Sequence, residues 1–451
     1  MERWFAERAW LGGPNLTENV VLTVGRGRIT SIARAQSHSS ADHKLDGIVI
    51  PGLVSAHSHA FHRALRGHTS DGTGDFWSWR TPMYKVANRL NPESYRELAI
   101  AVFSEMLEAG ITTVGEFHYL HHDEDGQPYA DPNAMGRALI EAAVHVGIRV
   151  TLIDAAYLMS NVAGSPVTPQ QRRFSDGTID AWSERVRDLN REFSGEPAVR
   201  IGVAAHSVRG VAATDLGDVA RTARELNVPL HIHVSEQIAE NEACKAAHGV
   251  TPARLLETVG FLGPSTTLVH ATHLTPDDID IIAATGTGVC FCPTTEADLG
   301  DGIGPAAELV EAGVHLSLGS DSNAIIDILD EARRVEYHDR LRLHSRGIHR
   351  PEDMLESATS GGAEALGWSG GGRIAENAPA DFIAIDPTSS ELAGTDLSTV
   401  AGLAMASTRA SVTDVVVGGR RVVASGRLLA APTALERAST LAAMAKTGEQ
   451  S

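Results

Sequence analysis

At 451 residues the chain is long enough for one large domain with a smaller companion, and too long for a single minimal core. Its 43% hydrophobic and 21% charged residues describe an ordinary globular protein, which excludes the disordered and membrane-embedded classes. Lysine and arginine number 38 against 57 aspartates and glutamates, a formal net charge of -19. That field repels nucleic-acid backbones and anionic membranes, so neither is an expected partner, and an anionic substrate would need specific arginines to hold it.

The chain starts with MERWFAERAW, whose Glu2, Arg3, Glu7 and Arg8 stand where an export signal needs an apolar run. No stretch reaches the ~18 consecutive apolar residues of a membrane span. The three cysteines are Cys244, Cys290 and Cys292, the last two too close along a strand to bridge easily, so a reducing cytoplasm is the expected setting. Residues 16–33, LTENVVLTVGRGRITSIA, read as strand, glycine turn, strand. With ADFIAIDP at 380–387 and VTDVVVGGRRVVASGRLL at 412–429 they predict a small β-sandwich built from both termini, 1–50 and 373–430, and 431–451 read as a solvated terminal helix.

Between about residue 47 and 322 one pattern recurs eight times: a polar or amphipathic stretch, often with a Gly or Pro, then a short β-branched run that ends in polar residues, with helix-like segments between the runs. The runs are IVIPGLVSAHSH, ITTVGEFHY, IRVTLIDAAY, VRIGVAAHS, VPLHIHVSE, TTLVHATH, TGVCFCPT and VHLSLGSDS. Segments such as PESYRELAIAVFSEMLEAG and DLGDVARTARELN carry apolar residues every three or four positions and stop at Gly or Asn. Strand and helix alternating eight times predict an α/β fold, a (β/α)8 barrel over 51–372. Active sites of that fold lie where the strands end. Six of the eight ends supply His57 and His59, Glu116 and Tyr119, His206, His233 and Glu236, His270, and Asp321.

His57 and His59 are two apart on a strand, so both face one way and both could ligate one metal. Alone this says little, because 20 histidines in 451 residues give about one such pair by chance, and His231-Ile232-His233 is a second. The combination with His233-x-x-Glu236, His270 and Gly319-Ser320-Asp321 is more specific. Zinc accepts imidazole nitrogen and carboxylate oxygen and lowers the pKa of bound water to ~7, which points to hydrolysis. Cys290-Phe291-Cys292-Pro293 lacks the order and spacing of a cytidine-deaminase zinc signature and reads as buried strand. The glycines of SGGGRI at 369–374 read as a turn, since they follow no strand and open no helix.

The run PGLVSAHSHAFHRAL, FWSWR, GEFHYLHH, AHSVR, HIHVSEQ, LVHATH, CPTTEADLGDGI and LGSDS resembles the formimidoylglutamate deiminases, histidine-degradation enzymes of the amidohydrolase superfamily, in order and over nearly the whole chain. The resemblance implies a barrel of the metal-dependent hydrolase type that holds one zinc ion per chain on His57, His59, His233 and Asp321, with no bridging lysine. Spacing alone leaves His231 and His233 equivalent; the family's His-x-x-Glu pattern selects His233. The implied reaction is hydrolysis of N-formimidoyl-L-glutamate to N-formyl-L-glutamate and ammonia. In it Asp321 takes the proton of the attacking water, Glu236 passes it to the leaving nitrogen and His270 stabilises the tetrahedral intermediate.

Two carboxylates on that substrate call for arginine, and Arg80 of FWSWR and Arg209 of HSVR are the candidates, since guanidinium grips carboxylate through two parallel bonds. By resemblance Tyr119, His206 and His62 complete the pocket. The expected partners are a small dicarboxylate and a second copy of the chain in a homodimer. The same constellation would serve deamination of a purine or other ring amine, which favours an aromatic-lined, less arginine-rich pocket. A catalytically silent binding protein of the same fold is the alternative of another class, and the filled ligand positions argue against it.

Overall fold

The computed structural model describes residues 1–34, 41–69, 76–430 and 432–446, without the side chains of 76–78, 434, 445 and 446. Those side chains include Phe76, Trp77 and Ser78 of the FWSWR motif, and the end of the predicted terminal segment, 447–451, lies outside the described residues.

Eight parallel strands follow one another in sequence order around a barrel. They are β5 (Leu53–Ser58), β6 (Ile111–His118), β7 (Arg149–Ala156), β8 (Val199–Ser207), β9 (Leu230–Val234), β10 (Thr266–His270), β11 (Gly288–Phe291) and β12 (Leu316–Leu318). β5 to β7 are buried at every position, as parallel strands covered by helices outside and side chains inside must be. The seam between β12 and β5 closes at its C-terminal end, where His59 N–H donates to the Asp321 carbonyl (2.9 Å) and Asp321 N–H to the His57 carbonyl (3.0 Å). Ligand candidates far apart in sequence therefore share the hydrogen bonds that close the barrel.

The intervening helices begin and end where local chemistry dictates. Pro92–Glu108 starts on Asn91, whose side chain accepts the Ser94 N–H, and Ala213–Leu226 ends on Asn227 in the left-handed conformation (φ 55°). The seventh run stops early as a strand: Pro293 opens the helix Pro293–Leu299, with Cys292 as its cap. All three cysteines are buried and free.

The termini form one continuous eight-stranded sheet. Its strands are β1 (Glu2–Trp10), β2 (Leu16–Gly25), β3 (Arg28–Arg34), β4 (His43–Pro51), β13 (Phe382–Ile385), β14 (Val412–Val417), β15 (Arg420–Ala424) and β16 (Arg427–Leu428). Alternation along the strands divides it between two cores. Val49, Phe382, Ala384 and Val416 join Trp4 and Leu22 in a core of the sheet's own, whereas Ile48, Ile50, Ile383, Ile385 and Val415 face the barrel core. The helix Ala434–Lys446 keeps much of its surface exposed, as expected, and rests its other face on Pro92–Glu108, where buried Arg437 pairs with Glu108 at 2.5 Å and Leu441 packs on the core. No helix among the described residues is long and apolar enough to cross a membrane.

Candidate active site

His57, His59, His233 and Asp321 meet at the mouth of the barrel, all buried. His57 Nε2 and His233 Nε2 are 3.0 Å apart, and Asp321 Oδ1 lies 3.7 Å from His57 Nε2 and 3.6 Å from His59 Nε2. His59 Nδ1 donates to the Phe117 carbonyl (3.0 Å) and His233 Nδ1 to the His206 carbonyl (2.8 Å), which leaves each Nε2 with a bare lone pair. Burial, followed by the neighbouring histidines, holds His57 and His59 well below the ordinary imidazole range, and burial with His270 does the same to His233. Unprotonated nitrogens and a carboxylate that converge at this spacing fit a zinc ion, whose ligands about 2.0 Å away define tetrahedron edges of roughly 3.3 Å. His231 shares the face of His233 but lies one layer deeper in the barrel, with Nε2 donating to the Ala365 carbonyl (2.8 Å). The strand is regular, and depth along the barrel separates the two histidines.

The turns that bring these groups together carry strain. Ser235, His270, Ala271, Asp321 and Asn323 have φ of 51°, 70°, 47°, 42° and 55°, a region that side-chain-bearing residues avoid at about 1–3 kcal/mol each. A buried polar layer holds them. Glu116 accepts from Ala60 N–H (2.7 Å) and Ser58 Oγ (2.8 Å), and burial pushes its carboxyl up to about 8. Asn323 donates to Ser58 Oγ (3.1 Å) and the His59 carbonyl (3.0 Å), tying the β12 end to the β5 end.

His270 Nδ1 meets Glu296 Oε1 at 3.3 Å, and its Nε2 looks toward Glu236 Oε1 (3.9 Å) and Asp321 Oδ2 (3.8 Å). Burial acts to lower His270, but the Glu296 bond and the three carboxylates outweigh it and raise the group to about 10. Burial, reinforced by Glu236 and Glu296 against His270, lifts Asp321 to about 7. Glu236 is held below its ordinary value because Arg209 and His270 outweigh the burial penalty.

A cavity of about 250 Å³ opens over these groups. Arg80, Tyr119, His206, Arg209 and His62 all line it, so every substrate-binding candidate read from the sequence reaches the same space. His62 Nε2 lies 3.0 Å from Tyr119 Oη. Arg209 donates from Nη2 to Glu236 Oε2 (2.6 Å) and places Nε 2.9 Å from Glu240 Oε2, so any substrate carboxylate shares this guanidinium with two protein carboxylates. Arg80 donates to Tyr84 Oη. Trp79, Tyr84, Tyr157 and Phe174 add aromatic surface to the same wall. Sequence reading missed Glu296, Glu240, Asn323, Tyr84, Tyr157 and Gln171. Of these Glu296 lay in CPTTEADLGDGI and Tyr157 closed the run IRVTLIDAAY, but no local spacing signals that Glu296 reaches His270 from the next strand end or that Tyr157 enters the pocket.

Comparison with known proteins agrees with this geometry. The amidohydrolase family model matches residues 48–422. The formimidoylglutamate deiminase of Pseudomonas aeruginosa is 34% identical over 95% of this chain and 96% of its own length, and the 8-oxoguanine deaminase of the same organism is 31% identical over 88% of each. The crystal structure of an amidohydrolase from Brucella melitensis superposes with a TM-score of 0.89 at 32% identity over 99% of both chains. The barrel, the histidine and aspartate group at its mouth and the matched span agree: the chain belongs to the amidohydrolase family.

Proposed function

We propose that the protein is a zinc-dependent hydrolase of C–N bonds that converts N-formimidoyl-L-glutamate to N-formyl-L-glutamate and ammonia. The observation that carries this reading is the cavity over the histidine and aspartate group, which has Arg80 and Arg209 in its wall. A zinc ion on His57, His59, His233 and Asp321 supplies Lewis acidity that makes water nucleophilic at neutral pH. The chain's own residues do the rest. Asp321 and Glu236 both present a carboxylate oxygen toward His270 Nε2, at 3.8 and 3.9 Å, so the three groups surround the space where the formimidoyl carbon changes from trigonal to tetrahedral. Both protons of the attacking water end on the nitrogen that leaves as ammonia: Asp321 takes the first from the water, Glu236 passes protons on to the nitrogen, and His270 faces the charge that develops between them. Arg80 and Arg209 take the two carboxylates, with Tyr119, His206 and His62 closing the sides of the pocket.

A second reading is deamination of a ring amine. It is favoured by the aromatic wall of Trp79, Tyr84, Tyr157 and Phe174, and by the likeness to an 8-oxoguanine deaminase. Ammonia release by zinc-loaded protein from formimidoylglutamate, 8-oxoguanine and 5-methylthioadenosine separates the two. The deiminase reading expects turnover of the first alone; turnover of a purine with none of formimidoylglutamate sinks it.

A further inference from the structure

Gln171 lies in the turn Pro169–Phe174 and is 2% exposed. Its Oε1 accepts the backbone N–H of Thr168 at 2.9 Å. A backbone N–H only donates, so this bond decides which way round the amide lies. At the other end Nε2 reaches Tyr157 Oη at 2.8 Å and Tyr84 Oη at 3.1 Å. An amide NH2 also only donates, which makes both phenol oxygens acceptors toward Gln171. The Tyr84 oxygen accepts a second time, from Arg80 Nη2, and both its lone pairs are then taken. Each phenol keeps its own hydrogen to give elsewhere, and among the described residues neither hydroxyl donates to a protein acceptor. Both rings line the cavity that holds Arg80 and Arg209.

Resting on the dicarboxylate reading above, we infer that Tyr84 and Tyr157 donate their hydroxyl hydrogens to a substrate carboxylate, and that Gln171 is the positioning residue that aims them. Gln171 is not among the residues that line that cavity, and with its amide on the acceptor side of both phenols their hydrogens are left for a ligand bound there. With the Arg80 guanidinium, this part of the wall then offers donors only. A carboxylate meets them with lone pairs alone, whereas the corresponding carboxamide must also present an NH2 to them. The wall thus selects the free acid over its amide.

The test uses zinc-loaded full-length protein and two readouts, steady-state kinetics with formimidoylglutamate and calorimetric titration with glutarate, a dicarboxylate that cannot react. Tyr84→Phe and Tyr157→Phe should each raise KM about tenfold or more and weaken glutarate by a similar factor, with a far smaller change in kcat. Gln171→Glu keeps the shape and the Thr168 bond but turns an acceptor toward the phenols. It should raise KM as well, and adding Tyr157→Phe in that background should then change KM less than twofold. Full additivity of those two substitutions would leave Gln171 with only a packing role and overturn its assignment. Wild-type turnover, with KM and glutarate affinity within twofold in both phenylalanine variants, overturns the tyrosine assignment while the deiminase reading stands. If the wild type does not turn over formimidoylglutamate, that reading fails and glutarate alone decides: about tenfold weaker binding by the variants supports the donors, while equal binding, or none by the wild type, rejects them.

Discussion

Glu236 is pulled in two directions. Arg209 Nη2 donates to its Oε2 at 2.6 Å, and its Oε1 faces His270 Nε2 at 3.9 Å. Replacing it with Gln preserves the shape and removes the proton carrier, and general acid–base groups contribute about 10²–10⁴ in rate. Glu236→Gln should therefore lose at least about a hundredfold in kcat while metal analysis still finds zinc at the wild-type level. A near-normal kcat would take Glu236 out of the proton path, and lost zinc would recast it as a ligand. Elsewhere, the GEFHYLHH histidines join a buried ionic cluster in which Arg185 forks onto Asp154 (2.7 and 2.8 Å) and Asp176 (2.9 and 2.9 Å), and His122 Nε2 lies 3.2 Å from Asp176. Burial opposes ionisation of Asp176, but the His122 bond and the charges of His121 and Arg185 outweigh it and hold the carboxyl below its usual range. A depressed folded pKa means stability that is present in full above the unfolded value of about 3.9 and lost as pH falls below it. The deficit in Tm of Asp176→Asn against wild type should therefore be largest at neutral pH and shrink below about pH 4. A deficit that stays constant to about pH 3 would remove the cluster from the acid response.

At the level of elements, the C-terminal end of β12 does two things: it closes the barrel and it delivers Asp321. The closure depends on close approach of β5 and β12, and Gly319 permits it. A Cβ there would stand 2.7 Å from the His57 Cβ, 2.8 Å from the His57 carbonyl oxygen and 2.9 Å from Cys292 Sγ, with backbone on one side and a buried thiol on the other. Gly319→Ala must push the seam apart at the point where two ligand candidates are anchored. The expected result is a loss of about 1–3 kcal/mol of stability together with reduced zinc content, read by thermal unfolding and metal analysis. Gly263→Ala, where a Cβ meets nothing within 4 Å, is the control and should leave both unchanged. Normal zinc content in Gly319→Ala would show that the seam tolerates opening without disturbing the site.

Across the whole molecule, the two-termini sheet is joined to the barrel by an ion pair as well as by apolar packing. Arg149 on β7 donates to Asp381, just before β13, from Nε at 2.6 Å and Nη2 at 3.2 Å, and Gly418 N–H adds a third bond to the same carboxylate at 2.6 Å. Arg149→Met strands a mostly buried carboxylate and should cost about 3–5 kcal/mol, seen as a lower unfolding temperature. Adding Asp381→Asn should recover part of the loss, because the stranded charge and not the missing contact carries most of it. A double variant less stable than Arg149→Met by the full cost of Asp381→Asn alone would show the two residues to be independent.

By itself the sequence determined what depends on near neighbours. Eight β-branched runs with stretches of helical period between them specify strands and helices in barrel order. The facing of His57 with His59 is local geometry, and the Asn stop at 227 follows from one residue's tolerance of positive φ. The first run, IVIPGLVSAHSH, read as one barrel strand, is divided by the fold: its start belongs to β4 of the terminal sheet and Leu53–Ser58 to the barrel. What only the tertiary structure decided are relations between strand ends that no spacing encodes. Depth along the barrel put His231 on the Ala365 carbonyl and His233 beside His57. Carbonyls from neighbouring strands, Phe117 and His206, set the histidine tautomers. Arg209, read as a grip for a substrate carboxylate, is shared with Glu236, just after β9, and with Glu240, in the first turn of the helix Ile238–His248. The physical reason is the same throughout: periods of 2 and 3.6 fix which way a side chain leaves its own element, while its partner depends on register and closure of the whole barrel, which the β12–β5 seam alone completes.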